Sequence, residues 1–418
     1  MNILLRSAKI IDSNSRYHKQ TMDILITNGI ISNIGKNLEL PKNCKEIQLK
    51  NLHISNGWFD TSVSLGEPGY EERENIKHGL EVAARSGFTK VAVNPNTNPL
   101  IDNKSAVEFL IQKSSESAVN LYPIANLTQG AKGQEMAELY DMKNSGAIAF
   151  GDYNKSIENA NLLKIALLYA QNFNGVVLSF PQDAGIGNHG FVNESENTTR
   201  LGLNSIPNLS EELQISRDLA LLEYSGGKLH IPTISTSKAV QLIKEAKKKG
   251  LDVTCSVASH HIFLTDEEIR SFDTNYKVMP PLRSDKDVKS LIKGIKEGTI
   301  DMIVSDHNPI DIENKNVEFE NGYYGTIGME SLFGSVRQKL DLEDTITCLT
   351  ENPCRRFDLP VSIIEKDTIA ELTLFDPDIK YVFEKSNIIS KSKNSAFLGK
   401  ELLGKSYGIY ANKKLVLA

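Results

Sequence analysis

Glu74-Asn75-Ile76-Lys77-His78-Gly79-Leu80-Glu81-Val82-Ala83-Ala84-Arg85-Ser86-Gly87-Phe88-Thr89-Lys90-Val91-Ala92-Val93-Asn94 decides the fold of this chain. Across 74–86 the apolar residues recur at helical spacing. The run ends on Gly87, the residue type favoured just past a helix C-terminus. Residues 88–94 then read as a short β-strand. This step repeats outward along the chain. Strands are predicted at 53–60, 88–94, 120–125, 147–150, 175–180, 228–234, 252–257 and 299–305, with amphipathic helices at 74–86, 104–114, 157–171, 210–224 and 237–249. The alternation predicts an α/β fold, a (β/α)8 barrel with its functional groups at the carboxyl ends of the strands. An open doubly wound sheet is compatible with the same pattern.

The two ends have a different texture. Asp23-Ile24-Leu25-Ile26-Thr27-Asn28-Gly29-Ile30-Ile31 places an Asn-Gly pair between two apolar runs, a strong hairpin signal. Short strands return after residue 366, as in Ala370-Glu371-Leu372-Thr373-Leu374-Phe375. Neither end is long enough to bury a core alone. One small β domain built from residues 1–53 and 363–418, beside a barrel of residues 54–362, is expected.

Composition narrows the function classes. The 418 residues are 40% hydrophobic and 24% charged, as in ordinary globular proteins. A net charge of −6 with no long basic run argues against a nucleic-acid or anionic-membrane surface. No apolar stretch is long enough to span a bilayer, and residues 1–10 lack the apolar core of a signal peptide. Cys44, Cys255, Cys348 and Cys354 have neither metal-type nor disulfide-framework spacing. They read as buried or incidental thiols of a cytoplasmic protein.

Several segments carry a family likeness. They are Phe59-Asp60-Thr61-Ser62-Val63-Ser64-Leu65-Gly66-Glu67-Pro68-Gly69, Asn94-Pro95-Asn96-Thr97-Asn98-Pro99, Lys277-Val278-Met279-Pro280-Pro281-Leu282-Arg283, and Gly298-Thr299-Ile300-Asp301-Met302-Ile303-Val304-Ser305-Asp306-His307-Asn308-Pro309. In order and spacing they resemble the dihydroorotases of the cyclic amidohydrolase superfamily, in particular the long-chain type that can associate with aspartate transcarbamoylase. The resemblance implies a barrel with a small β-sandwich domain formed by both termini.

It also implies a zinc site, which this chain departs from. Zinc in such an enzyme makes hydroxide at neutral pH and polarises the amide carbonyl under attack. The family's first strand reads Asp-x-His-x-His, and Ser62 and Ser64 stand at its two histidine positions. Phe180 stands where the histidine after strand five is expected, and Thr233 where the one after strand six is expected. His230 lies three residues earlier and reads as structural. The bridging carboxylate after strand four falls on Asp152 or a neighbour. Asp306 matches the family's proton-shuttling aspartate. Gly66 replaces the arginine that pairs with the substrate carboxylate, and such a guanidinium fork is hard to replace. Met279 and Ile310 replace an asparagine and a histidine of the substrate site, while Asn96 persists.

The expectation is a metal-free, non-catalytic dihydroorotase-like protein of pyrimidine biosynthesis. It would serve as a structural or regulatory subunit, as a homo-oligomer and in partnership with aspartate transcarbamoylase. Two rivals stand beside it. One is a cyclic-amide hydrolase with altered chemistry, using Ser62, Ser64, Thr233, Asp152 and Asp306 with a base from His260, His261 or His307. The other is a sensor that holds a pyrimidine intermediate through Asn96 and Asp306. The glycine-rich segment 185–190 reads as a barrel loop. Segment 318–328 reads as a mobile loop over the pocket or as a subunit contact.

Overall fold

The computed structural model describes residues 2–187 and 190–418. Asn188 and His189 of the glycine-rich segment lie outside the described residues.

Eight parallel strands form the barrel: β1 (Trp58–Val63), β2 (Phe88–Val93), β3 (Asn120–Ala125), β4 (Ala149–Phe150), β5 (Val176–Leu178), β6 (Lys228–Ile231), β7 (Val253–Ala258) and β8 (Met302–Val304). Each pairs in parallel with the next along the chain. The circle closes where Val63 bridges His307 and the Ser64 amide donates to the His307 carbonyl at 2.7 Å. This closure decides for the barrel and against the open sheet.

The opening segment behaves as its pattern requires. Its helix runs over Ile76–Arg85, capped by the Asn75 side chain accepting from the His78 amide. Ile76, Leu80, Val82, Ala83 and Ala84 are buried toward β2 and its neighbours. Gly87 at φ 101° makes the turn into β2, where a Cβ would press on the Trp58 ring at 2.8 Å.

The predicted strand 53–60 divides at Gly57. His53–Asn56 joins the terminal sheet and Trp58–Val63 opens the barrel. A Cβ on Gly57 would lie 2.0 Å from Thr89 Oγ1, so only glycine lets the chain pass this close to β2.

The terminal sheet takes eight strands from the two ends of the chain. They run in the order Lys414–Leu417, Glu401–Ala411, Leu372–Val382, His53–Asn56, Asn2–Ile11, Thr21–Thr27 and Ile30–Gly35, with Cys44–Ile47 also pairing Asn2–Ile11. The hairpin at Asn28-Gly29 forms, with both residues at positive φ as its two-residue turn demands. Ile3, Leu5, Ile24, Ile54, Leu372 and Leu374 give this sheet a core of its own. Trp58 ties it to the barrel. Its ring packs on Phe88, Phe333 and Phe375 at centroid distances of 6.0, 4.6 and 5.5 Å, and its Nε1 donates to Ser55 Oγ. Among the described residues no helix is long and apolar enough to cross a membrane.

Candidate functional site

The alternation of β1 is broken by an irregularity between Asp60 and Val63, which brings both Thr61 and Ser62 to the cavity, with Asp60 before them and Ser64 just past the strand's end. All four are buried at the carboxyl end of the barrel. The ends of the other strands bring up Asn94, Tyr153, Phe180, Thr233, Ser256 and Asp306.

The polar side chains there bond to one another. Ser62 Oγ donates to Asp306 Oδ1 at 3.1 Å. Asn94 Nδ2 donates to both serine hydroxyls, at 3.2 Å to Ser62 and 3.3 Å to Ser64. Tyr153 stands on the wall of the same cavity. Asp60 Oδ1 accepts from the amides of Ser62 and Ser305, while its Oδ2 is buried without a partner. On the far wall His230 sits between Thr254 Oγ1 at 2.9 Å and Ser256 Oγ at 3.3 Å. The cavity among these groups is only about 30 Å³, lined by Ser62, Asn94, Tyr153, Phe180, Thr233 and Asp306 among others.

Burial sets the electrostatics. It raises the Asp306 carboxyl to about 7 against the opposing Ser62 hydroxyl. It raises Asp60 to about 7 as well, with the neighbouring Asp306 charge adding to the effect. Burial and then the Asp306 charge push the Tyr153 phenol far up, so it stays neutral. Burial drives His230 well below its ordinary value, which keeps the imidazole neutral.

Three strand-end residues hold a left-handed backbone: Tyr153 at φ 57°, Thr233 at φ 48° and Asp306 at φ 49°. Aspartate tolerates this region; a β-branched threonine there is an outlier. Such strain gathers at binding and catalytic sites.

The predicted residues divide into those the fold brings together and those it does not. Ser62, Phe180, Thr233, Met279 and Asp306 meet at the cavity, and Ser64 stands beside it, bonded by Asn94 of the lining. Asp152 does not. Its carboxylate turns away to accept from the amides of Leu127 and Thr128, the Thr128 hydroxyl and Asn126 Nδ2. Its neighbours Tyr153 and Asn154 line the cavity instead. The expected lining by Asp152 is thereby corrected, because two loop amides hold its oxygens. Asn96 also stays out; its Oδ1 is buried without a partner, and Asn94 takes the place beside the serines. Ile310 is buried near segment 391–398, with its amide donating to Asn394 Oδ1. At Gly66 a Cβ would lie 1.9 Å from the Tyr70 carbonyl oxygen and 2.8 Å from that of Glu74, so this backbone admits no side chain.

The histidines offered as alternative bases lie outside the cavity. His261 Nε2 pairs with the Pro280 carbonyl, and His307 Nδ1 accepts from the Gly328 amide. His260 is fully buried with neither ring nitrogen bonded. None of the three lines the cavity.

Asn94, Tyr153 and Asp60 are the site residues that sequence reasoning missed. The irregularity between Asp60 and Val63 breaks the period of two, so alternation gave no signal for Asp60.

These groups do not fit a zinc ion. Protein zinc sites take three or four ligands from thiolate, imidazole and carboxylate. Here the serines and threonine offer neutral hydroxyls, Phe180 offers no lone pair, and the one imidazole has both nitrogens occupied. Among the described residues no group of three or more His, Cys, Asp or Glu side chains converges.

Outside the cavity lies a wider cleft of about 780 Å³, with Lys132, Asn154, Lys155, Gln182, Met279 and Tyr324 on its walls. Segment 318–328 is tethered beside it. Lys277 Nζ donates to the carbonyls of Phe319 and Glu320 and lies 4.4 and 5.0 Å from the Phe191 and Tyr324 rings. The Tyr324 hydroxyl donates to the Gly190 carbonyl.

Comparison with known proteins places this architecture. A family model described as dihydro-orotase-like matches residues 53–239. The dihydroorotase of Geotalea daltonii is 35% identical over 422 residues, covering 100% of this chain and 99% of its own. The chain belongs to the dihydroorotase family. The dihydroorotase of Ruminiclostridium cellulolyticum is 37% identical over 97% of this chain and 96% of its own. Among solved structures, the L-hydantoinase (dihydropyrimidinase) from Arthrobacter aurescens superposes with a TM-score of 0.85 over 99% of this chain and 96% of its own, at 20% identity. At that identity the likeness speaks for the fold alone. The dihydroorotase family thus accounts for the barrel and for the collinear loops around its mouth.

Proposed function

We propose that this chain is a dihydroorotase-family protein that binds no zinc and does not open dihydroorotate. It serves pyrimidine biosynthesis as a structural or regulatory subunit. One observation carries this reading: the hydrogen-bonded cluster of Ser62, Ser64, Asn94 and Asp306, with Tyr153 and Phe180 beside it, leaves a cavity of only about 30 Å³ at the barrel mouth. That space is on the order of one or two water molecules, whereas small-molecule sites run to roughly 300–1,000 Å³. A general base without an activated water has little to act on. The blocked backbone at Gly66 supports the same reading, since no cationic side chain can stand there to clamp a carboxylate.

The partner we propose is aspartate transcarbamoylase, on the strength of the family resemblance. The test uses the purified chain with dihydroorotate, with and without added zinc, and measures bound metal by mass spectrometry. The expected result is no ring opening and no stoichiometric zinc. Turnover at a rate typical of a dihydroorotase, or one tightly bound zinc per chain, would sink the proposal. Co-purification from native cells tests the partner separately.

A second reading rests on the outer cleft. Its volume of about 780 Å³ admits a pyrimidine bound without turnover, and Lys132 and Lys155 on its walls, beside Asp152 and Glu158, offer cations for a ligand carboxylate. Thermal shifts with dihydroorotate, orotate and carbamoyl aspartate test it, and no shift with any of them removes it.

A further inference from the structure

Another cleft, of about 570 Å³, shares no lining residue with the inner cavity or with the outer cleft beside it. Its walls come from the helix Ile312–Lys315, the turn at 273–275 and the segment 385–398, together with Glu72.

Lysines gather there. Lys315, Lys385, Lys391 and Lys393 all line it, in a chain whose net charge is −6. Among the described residues no carboxylate pairs with any of the four ammoniums. Their partners are neutral: Lys391 Nζ donates to the Glu71 carbonyl at 2.8 Å, and Lys393 Nζ to those of Ile388 and Ser390. The carboxylates of the walls are taken by other donors. Asp311 accepts from the Asn314 amide and lies 3.4 Å from Arg73 Nε, and Glu72 lies 3.7 Å from the same nitrogen. Asp273 accepts from the Asn275 amide.

Lys315 shows most clearly what the cleft lacks. It is 4% exposed, and its Nζ donates to the Thr274 carbonyl at 2.7 Å. A buried ammonium is costly unless a countercharge meets it, and a carbonyl carries none. Burial, then the charge of the neighbouring Lys277, hold Lys315 down to about 7, with Asp273 drawing it the other way. An anion in the cleft would offset that penalty.

The rest of the wall narrows the kind of anion. Ile310, Ile312 and Leu398 give it an apolar side, with Ile312 73% exposed. A lysine ammonium is a point charge on a flexible stem and suits phosphate oxygens. No arginine is among the described residues of the lining, so no planar fork is there to select a carboxylate. The volume lies within the roughly 300–1,000 Å³ of small-molecule sites and exceeds what a bare phosphate fills.

We propose that this cleft binds a phosphorylated small molecule of nucleoside-monophosphate size, its phosphate on the lysines and its body against Ile310, Ile312 and Leu398. The cleft stands apart from the barrel mouth, so the proposal does not depend on whether that mouth is catalytic.

Titration calorimetry of the full chain with ribonucleoside monophosphates, the corresponding nucleosides and inorganic phosphate tests this. The expected result is one monophosphate bound per chain, about tenfold or more tighter than its nucleoside and than inorganic phosphate. Lys385→Gln/Lys391→Gln, at two exposed positions, is expected to weaken it by about tenfold or more and to leave the far-ultraviolet circular dichroism unchanged. Lys315→Met is expected to remove most of the binding; the exposed pair decides if that variant fails to fold. Absence of monophosphate binding, equal affinity for nucleoside or inorganic phosphate, or binding that the folded lysine variants leave unchanged overturns the proposal. Binding lost instead in Lys132→Gln/Lys155→Gln would belong to the outer cleft and overturns it as well.

Discussion

At the scale of single residues the barrel mouth stores two kinds of unfavourable energy. One is charge. Asp306 titrates near 7 in the folded chain, against about 3.9 when unfolded. Its folded value is raised, so its favourable share of stability is complete below about pH 4 and is lost as pH rises through 7. Asp306→Asn, which tolerates the same left-handed backbone and can still accept from Ser62, removes that loss. The variant is expected to melt like wild type at pH 4 and higher than wild type at pH 8. The gain is at most about 4 kcal/mol, at roughly 1.4 kcal/mol per unit. Thermal melts at the two pH values check the sign, and a gain confined to pH 4 would contradict it. The other energy is conformational. Thr233 holds φ 48° with a branched Cβ. Thr233→Asn is expected to raise the melting point, by about 1 kcal/mol of stability, because asparagine occupies this region readily. An unchanged or lower midpoint would mean that threonine's contacts outweigh the strain. Gly66 is the opposite case. Gly66→Ala puts a methyl into the Tyr70 carbonyl and is expected to cost about 1–3 kcal/mol or more, measured by denaturant unfolding.

At the scale of elements, the loop after β3 depends on one buried carboxylate. Asp152 accepts from the amides of Leu127 and Thr128. Asp152→Ala leaves both donors buried and unpaired, at about 1–3 kcal/mol each. Faster amide exchange confined to 126–128, seen by mass spectrometry, is the expected signature; unchanged protection there would argue that water or a neighbour takes over. This turn also marks where the sequence stopped being legible. Strand and helix positions followed from periodicity, and β3 lies where the pattern put it, at Asn120–Ala125. Which of two adjacent residues in a left-handed turn faces inward follows from no periodicity, so Asp152 was expected at the cavity and Tyr153 was not. The division of 53–60 at Gly57 was hidden for a related reason. The apolar run is continuous across it, and only the close approach of Thr89 shows that one run serves two sheets. The serines at the end of β1 were legible from the family likeness of their segment and not from a period of two, which the irregularity between Asp60 and Val63 breaks.

At the scale of the molecule, two histidines placed on β1 are not expected to make a metal centre by themselves. Tyr153, Phe180 and Thr233 stand at the ends of three other strands, and the first two fill the space a ligand set would need. A Ser62→His/Ser64→His variant is therefore expected to retain less than one zinc per chain after dialysis. Stoichiometric retention would show that the rest of the mouth can rearrange. The barrel and the terminal sheet are joined through aromatic rings, so damage at that seam reaches both. Phe375→Ala, which removes a ring packed on both Trp58 and Phe333, is expected to cost about 3–5 kcal/mol. Equilibrium unfolding measures it, and a cost below about 1 kcal/mol would mean that the seam repacks.

Trp58 is the only tryptophan in the chain. Selective excitation of its indole therefore reads one place, the join between the two halves, with no background from elsewhere. Its emission is expected at short wavelength while the ring is sealed from water and to move red when the halves part. If that red shift comes before the loss of helical ellipticity during unfolding, the terminal sheet lets go first. If the two curves coincide, the chain opens as a single cooperative body. Either way the protein carries an optical probe of its own assembly, placed there by packing and needing no label.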